Sequence, residues 1–267
     1  MRSMVELAEK FQPDVALTDY EFFVPRVCRQ LGIPCLSLDH QHLITLASFS
    51  TPLHQCWIRM MAALSVKRLF SEASAYLVTS FFQPPPLSPN VVIAPPLLRE
   101  SVLRHQPQDG EHVVAYQGYE TFSCFLPFLR NIKSPVFVYG LSTPHQDGNL
   151  TFKAYSEEEF LKNLASCRYV VCGGGHSLIS EALFYGKPVL SFPIKNAFEQ
   201  FLNAYYVEKL GYGKMADTHR PSLQMLEGFE SRLDFFRANI KKENFCGNDE
   251  IFRLLDRFIA TGRLLTH

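Results

Sequence analysis

The sequence reads as an α/β protein with parallel, doubly wound sheets. Three observations carry this. Short apolar runs alternate with helical stretches from Val15 onward, the pattern of βαβ units. Between Tyr169 and Gly213, a buried apolar strand, three consecutive glycines, a helix, a second strand and a second helix follow one another. Hydrophobic residues make up 47% of the 267 positions and charged residues only 19%, enough to pack one large or two modest domains.

In chain order, Met4–Phe11 predicts a helix that Pro13 ends ahead of the strand Val15–Leu17. Asp19, Tyr20 and Glu21 follow at that strand's C-terminal end, where parallel sheets gather ligands. N-capping of the next helix, Phe22–Leu31, is an equal alternative for them. The strand Cys35–Leu38 runs into Asp39-His40-Gln41-His42, the best cluster for acid–base chemistry in the first half. Cys35 and His40 project from different places along the strand and its exit, with no fourth ligand in view, so no metal site is expected.

Leu53–Phe70 predicts a long helix carrying Trp57, Met60, Met61 and Leu64 beside Arg59, Lys67 and Arg68. A packed helix with snorkelling basic stems is the expectation, and contact with a membrane or a lipid-linked acceptor is the other reading. After strand Tyr76–Thr79 comes a surface loop, Pro84–Pro89, then strand Val91–Ala94. The polar stretch Leu98–Gly110 reads as an interdomain linker, giving domains 1–107 and 108–267.

The second half continues with strand Val113–Tyr116, helix Ser123–Asn131, strands Val136–Tyr139 and Leu150–Lys153, and helix Glu157–Ser166. The glycine block then supplies strand Tyr169–Cys172, helix Ser177–Tyr185, strand Val189–Phe192 and helix Ala197–Leu210, and Leu223–Phe236 and Ile251–Ile259 read as amphipathic helices. Gly173, Gly174 and Gly175 are expected to take positive φ and let a ligand reach bare amides, and the helix N-terminus favours an anion there. His176 and Ser177 add side-chain donors, Ser177 being first of all an N-cap. Gly118 offers a second glycine nearby. Taken alone, such a turn is more often tight packing than a nucleotide site.

Lysine plus arginine and aspartate plus glutamate balance at 26 each, so no net field draws the chain to nucleic acid. The seven cysteines are scattered and form no C-x-x-C pair, which suggests reduced core thiols. With no apolar run of membrane-spanning length and no signal-peptide pattern, a cytoplasmic protein is expected.

The stretch YVVCGGGHSLISEALFYGKPVLSFPIKNAFEQFLNAYYVEKLGYG resembles the donor-binding signature of UDP-sugar glycosyltransferases with the GT-B fold, particularly family 28 and its archaeal and bacterial relatives. GG, SEAL, GKPVL, EQ, NA and VEKLG all stand at the family's separations. PDVALTDYEFFVPRVCRQLGIPCLSLDHQH resembles the matching part of the same group's first half. The resemblance implies two Rossmann-like domains. The N-terminal one is incomplete, because related enzymes begin with a further strand and a glycine- and histidine-containing loop. A partner supplying those units is one expectation.

The resemblance also implies roles. The glycine loop takes the donor diphosphate, Glu181 the ribose hydroxyls, and Glu199 and Gln200 the donor sugar. Backbone at Phe152, Lys153 and Ala154 lines the uracil. The last helix crosses back onto the first domain. A nucleotide-sugar donor and a glycan, lipid or small-molecule acceptor are the expected partners, with the UDP-sugar a substrate and no cofactor. With no D-x-D motif to hold a cation, leaving-group stabilisation is expected to be metal-independent, and the resemblance implies inversion. His42, Asp19 and His40 are the candidate bases. A sugar-nucleotide 2-epimerase and a non-catalytic nucleotide-sugar-binding subunit are the alternatives, and peripheral contact with the inner face of a membrane is a further expectation.

Overall fold

A computed structural model describes residues 2–117, 123–141, 143–217 and 220–264. The chain folds as two compact units, Met1–Leu97 with Cys246–His267 and Leu98–Phe245. The first unit begins with α1 (Arg2–Phe11), β1 (Ala16–Thr18), α2 (Val24–Leu31), β2 (Cys35–Asp39), α3 (Leu43–Leu46), a 3-10 turn at Leu53–Gln55, α4 (Cys56–Leu69), β3 (Ala75–Thr79) and β4 (Val91–Ala94). The second contains α5 (Glu100–Leu103), β5 (Val113–Tyr116), α6 (Phe125–Leu129), β6 (Val136–Tyr139), β7 (His145–Asp147), β8 (Leu150–Phe152), α7 (Glu157–Ser166), β9 (Val170–Cys172), α8 (His176–Phe184), β10 (Val189–Ser191), α9 (Phe198–Lys209), β11 (Gly213–Met215), α10 (Leu223–Glu230) and α11 (Leu233–Ile240). The last helix, α12 (Asn248–Thr261), returns to the first unit.

In the first unit four parallel strands lie in sequence order, β1-β2-β3-β4. Ile251 and Phe258 of α12 are fully buried with Leu36, Leu77 and Ala94, which is why the C-terminal segment belongs here. The division of the chain differs from the expected one at 107/108. Leu98 and Val102 are buried, and the Tyr185 hydroxyl donates to the Val102 carbonyl at 2.7 Å. The stretch that reads as a linker is therefore packed within the second unit.

The second unit holds seven strands in the order β11-β10-β9-β5-β6-β8-β7. Its inner strands, VVAY, VFVY, VVC and VLS, are nearly all buried, as both faces of a helix-covered parallel sheet require. Two strands were not legible. β7 is the polar run HQD, added antiparallel to β8 and fixed by the His145 ring stacked 4.1 Å from Phe152. β11 is GKM, a parallel edge strand beside β10. The expected single helix Leu223–Phe236 breaks into α10 and α11 at Ser231 and Arg232, where the Ser231 hydroxyl turns back to the Gly228 carbonyl.

The expectation of a packed Leu53–Phe70 helix is corrected. In α4 Val66 is the one buried residue, while Trp57, Met60, Met61 and Leu64 face solvent.

Candidate active site

β5 is followed by β6 on one side, and β9 lies on its other side, so the sheet reverses direction between β5 and β9. Ligands of open α/β sheets bind beyond the strand C-termini at such a switch point. β9 ends there in Gly173, Gly174 and Gly175. β5 ends there in Tyr116 and Gln117, and Gly118 lies outside the described residues.

None of the three glycines has positive φ, so the expected left-handed turn is corrected. The constraint is contact. A Cβ on Gly174 would lie 2.2 Å from the Gln200 carbonyl oxygen, which no side chain survives. Gly175 meets nothing within 4 Å and leaves the front of the loop open. Neighbouring side chains hold the loop: Ser191 Oγ donates to the Gly173 carbonyl at 3.0 Å, Asn203 Nδ2 to the Gly174 carbonyl at 2.9 Å, and Gln200 Oε1 accepts from Gly174 N at 3.3 Å and Ile194 N at 3.1 Å. The Gly173 and Gly174 carbonyls and the Gly174 amide are thus taken by the protein.

The N-cap of α8 is Gly175, not Ser177, and no side chain caps the helix. Its first turn holds no acid, so its N-terminal partial charge faces the loop unopposed from within the helix. Ser177 sits exposed in the first turn, and His176 Nε2 lies 3.3 Å from Ser180 Oγ. Gln200 spends its carbonyl on the loop, leaving Nε2 as the end available to a ligand. Glu199 is half-buried, its Oε1 3.4 Å from Asn203 Nδ2.

Glu181 is buried one turn into α8. Its Oε1 accepts from Arg99 Nε at 3.1 Å and lies 3.0 Å from Nη2 in an ion pair, while Arg99 Nη1 and Ser101 Oγ both reach Glu157 Oε1. Burial pushes the Glu181 carboxyl above its ordinary 4.5, and Arg99 offsets this only in part. Oε2 has no hydrogen bond among the described residues.

At the end of β8, Phe152 belongs to the core. Lys153 Nζ pairs with Glu159 Oε1 at 2.7 Å and its amide bonds the Val138 carbonyl, while Ala154 is exposed. Arg99, Asn203 and Ser191 were missed in the sequence. Asn203 stands three and four positions after Gln200 and Glu199, hence on their helix face, and that spacing was a usable signal. Arg99 meets Glu181 across 82 positions, and nothing local announces it.

In the first unit the residues Asp39 to His42 form a closed cluster. His42 is fully buried, with Nδ1 2.7 Å from Asp39 Oδ2 and Nε2 3.3 Å from the Phe70 carbonyl. Asp39 also accepts from Ser37 Oγ at 2.5 Å and His42 N at 2.9 Å. Burial pushes the Asp39 carboxyl up, but His42, Ser37 and the His42 amide together bring it below its ordinary 3.8. His40 is buried too, its Nδ1 2.7 Å from the Thr79 carbonyl. Both histidines are buried.

The strand-end acids divide by role. Glu21 caps α2, its Oε2 accepting from Phe23 N and Val24 N at 2.7 Å each. Asp19 is exposed, its carboxyl raised above the ordinary 3.8 by partial burial and by the nearby Asp39 charge. Tyr20, with φ +46°, holds the turn between them and stacks 4.1 Å from Phe70.

The sequence matches the family described as glycosyl transferase family 1 over residues 1–234. The chain belongs to that family. An uncharacterized glycosyltransferase of Methanosarcina acetivorans is 25% identical, over 99% of this chain and 74% of that protein. One of Methanosarcina mazei is 24% identical, over 90% of this chain and 70% of that protein. Among solved structures, spinosyn forosaminyltransferase SpnP superposes with a TM-score of 0.62 at 18% identity, over 96% of this chain and 79% of that one. The glycotransferase of kitacinnamycin gives 0.64 at 17%, over 96% and 79%. VinC, solved in complex with dTDP, gives 0.61 at 16%, over 97% and 75%.

At such identities the structural likeness is one of fold, and the fold is GT-B. For a glycosyltransferase of this fold a nucleotide-sugar donor and an acceptor are implied.

Proposed function

We propose that this glycosyltransferase moves a sugar from a UDP-sugar to an acceptor hydroxyl by a metal-independent, inverting displacement. The observation that carries the reading is the glycine loop at the switch point, its carbonyls taken by Ser191 and Asn203 and its amides backed by the α8 N-terminus.

The diphosphate lies against Gly173, Gly174 and Gly175, with His176 and Ser177 beside it. As the anomeric C–O bond breaks, charge accumulates on the leaving diphosphate, and loop amides plus helix dipole stabilise it with no cation. Glu181, held through Oε1 by Arg99, offers Oε2 to the ribose diol. Gln200 Nε2 and Glu199 meet the sugar, and the turn Phe152–Lys153–Ala154 receives the base through its backbone.

On the first unit Asp19 is the base favoured over His42 and His40, because it is exposed and they are not. It takes the proton of the acceptor hydroxyl as the oxygen bonds to the anomeric carbon from the face opposite the leaving group.

The dTDP held by VinC supports a deoxyribose donor as a second reading. The two differ at the 2′-hydroxyl, which a Glu181–ribose contact would use. Incubation with UDP- and dTDP-sugars and a panel of hydroxylated acceptors in EDTA, followed by proton NMR of the product anomer, tests the reaction. Inverted glycoside and free UDP are expected. An isomerised donor would mean an epimerase, turnover only with Mn²⁺ would remove the metal-independent step, and binding without turnover would leave a non-catalytic subunit.

A further inference from the structure

We propose that the outer face of α4 docks on an anionic lipid surface. The inference is independent of the donor reading. α4 is apolar on both sides: Ile58, Ala62 and Val66, spaced by four, form its inner face, and Trp57, Met60, Met61 and Leu64 stand on the other, 47–69% exposed. Leu53, in the preceding 3-10 turn, is 90% exposed. A soluble surface helix normally carries polar residues on its outer face, and one that is apolar all round is covered by something.

Charge selects the cover. From Leu53 to Phe70 there is no acid, while Arg59, Lys67 and Arg68 are all present. Lys67 and Arg68 are exposed in the last turn, and Arg59 lies over the Phe49 ring at 4.4 Å. Arg26 bonds the Arg68 and Leu69 carbonyls and adds a fourth cation at the same end. The nearest following acid, Glu72, is already paired with Arg29. Apolar side chains flanked by unneutralised cations match the boundary between acyl chains and anionic headgroups. With 14 residues α4 is ~21 Å long, short of the ~30 Å hydrocarbon core, so it lies in the surface and does not cross it.

Trp57 is the chain's one tryptophan and sits on this face, so its fluorescence reports docking of the unmodified protein directly. With vesicles of phosphatidylcholine containing phosphatidylserine, its emission should move to shorter wavelength and be quenched by brominated acyl chains. Vesicles of phosphatidylcholine alone should give little of either. Lys67→Ala and Arg68→Ala should each lower partitioning roughly fivefold, and Met60→Glu with Leu64→Glu should abolish it with the far-UV spectrum unchanged. No shift with either vesicle would overturn the proposal, as would equal partitioning into the two. A shift that grows with protein concentration in the absence of lipid would assign the face to a second copy of the chain and overturn it as well.

Discussion

Arg99 and Glu181 form an ion pair at Oε1, with one hydrogen bond from Nε at 3.1 Å and Nη2 3.0 Å away. The pair fixes a carboxylate inside the second unit with one oxygen uncommitted. Because burial raises the Glu181 pKa, the folded state binds its proton more readily than the unfolded chain, so the group's contribution to stability falls as pH rises from 4.5 through the folded value. At neutral pH the charge is a cost to folding, consistent with a residue kept for binding.

Glu181→Gln should therefore leave thermal stability unchanged or slightly higher at pH 7, since Arg99 still has Glu157. Nucleotide affinity should fall by about tenfold or more, the worth of a hydrogen bond to a charged group. Calorimetric unfolding and UDP titration of the same sample check both halves.

Gly174→Ala should disrupt the loop. A methyl 2.2 Å from the Gln200 carbonyl displaces α9 or the loop, at about 1–3 kcal/mol, and should remove nucleotide binding. Gly175→Ala is the control. Its methyl meets nothing, so it should cost no more than about 1 kcal/mol as a weakened N-cap and still weaken binding by filling the open front of the loop. Urea unfolding of the two variants should separate them.

The glycine loop, its flanking strands and helices and the residues Glu181 and Gln200 were legible because short-range rules govern them: apolar strands, glycine turns and helix spacing. Their detailed reasons were not. Gly174 is demanded by a contact with Gln200, 26 positions away, and not by φ, and the partner of Glu181 lay in a stretch whose polarity read as a linker. β7 and β11 were missed because edge strands need no apolar run. His42 read as catalytic because composition shows a titratable group but not its burial.

Asp39→Asn should be strongly destabilising, by about 3 kcal/mol, because it leaves the buried His42 beside a weaker acceptor. The Asp39 pKa is depressed on folding. Its stabilisation is thus complete above 3.8 and lost as pH falls below that through the folded value, so the first unit should be acid-labile there. Acid titration followed by near-UV circular dichroism, wild type against variant, checks it.

Asp19→Asn should leave the fold and donor affinity intact and lower kcat by about 10²–10⁴, the range of general-base catalysis. With its pKa raised, the acidic limb of the rate profile should lie above 3.8 and disappear in the variant. A variant that keeps full kcat would assign proton removal elsewhere.

The measurement closest to the central proposal is calorimetric titration of the whole chain with UDP, dTDP, ADP and GDP in EDTA, repeated with Glu181→Gln. Saturable UDP binding without metal, tighter than dTDP in the wild type and losing that preference in the variant, is the expected result. UDP binding that requires a divalent cation, or none at all to a folded sample, would contradict the assignment of the glycine loop as a metal-free nucleotide-sugar site.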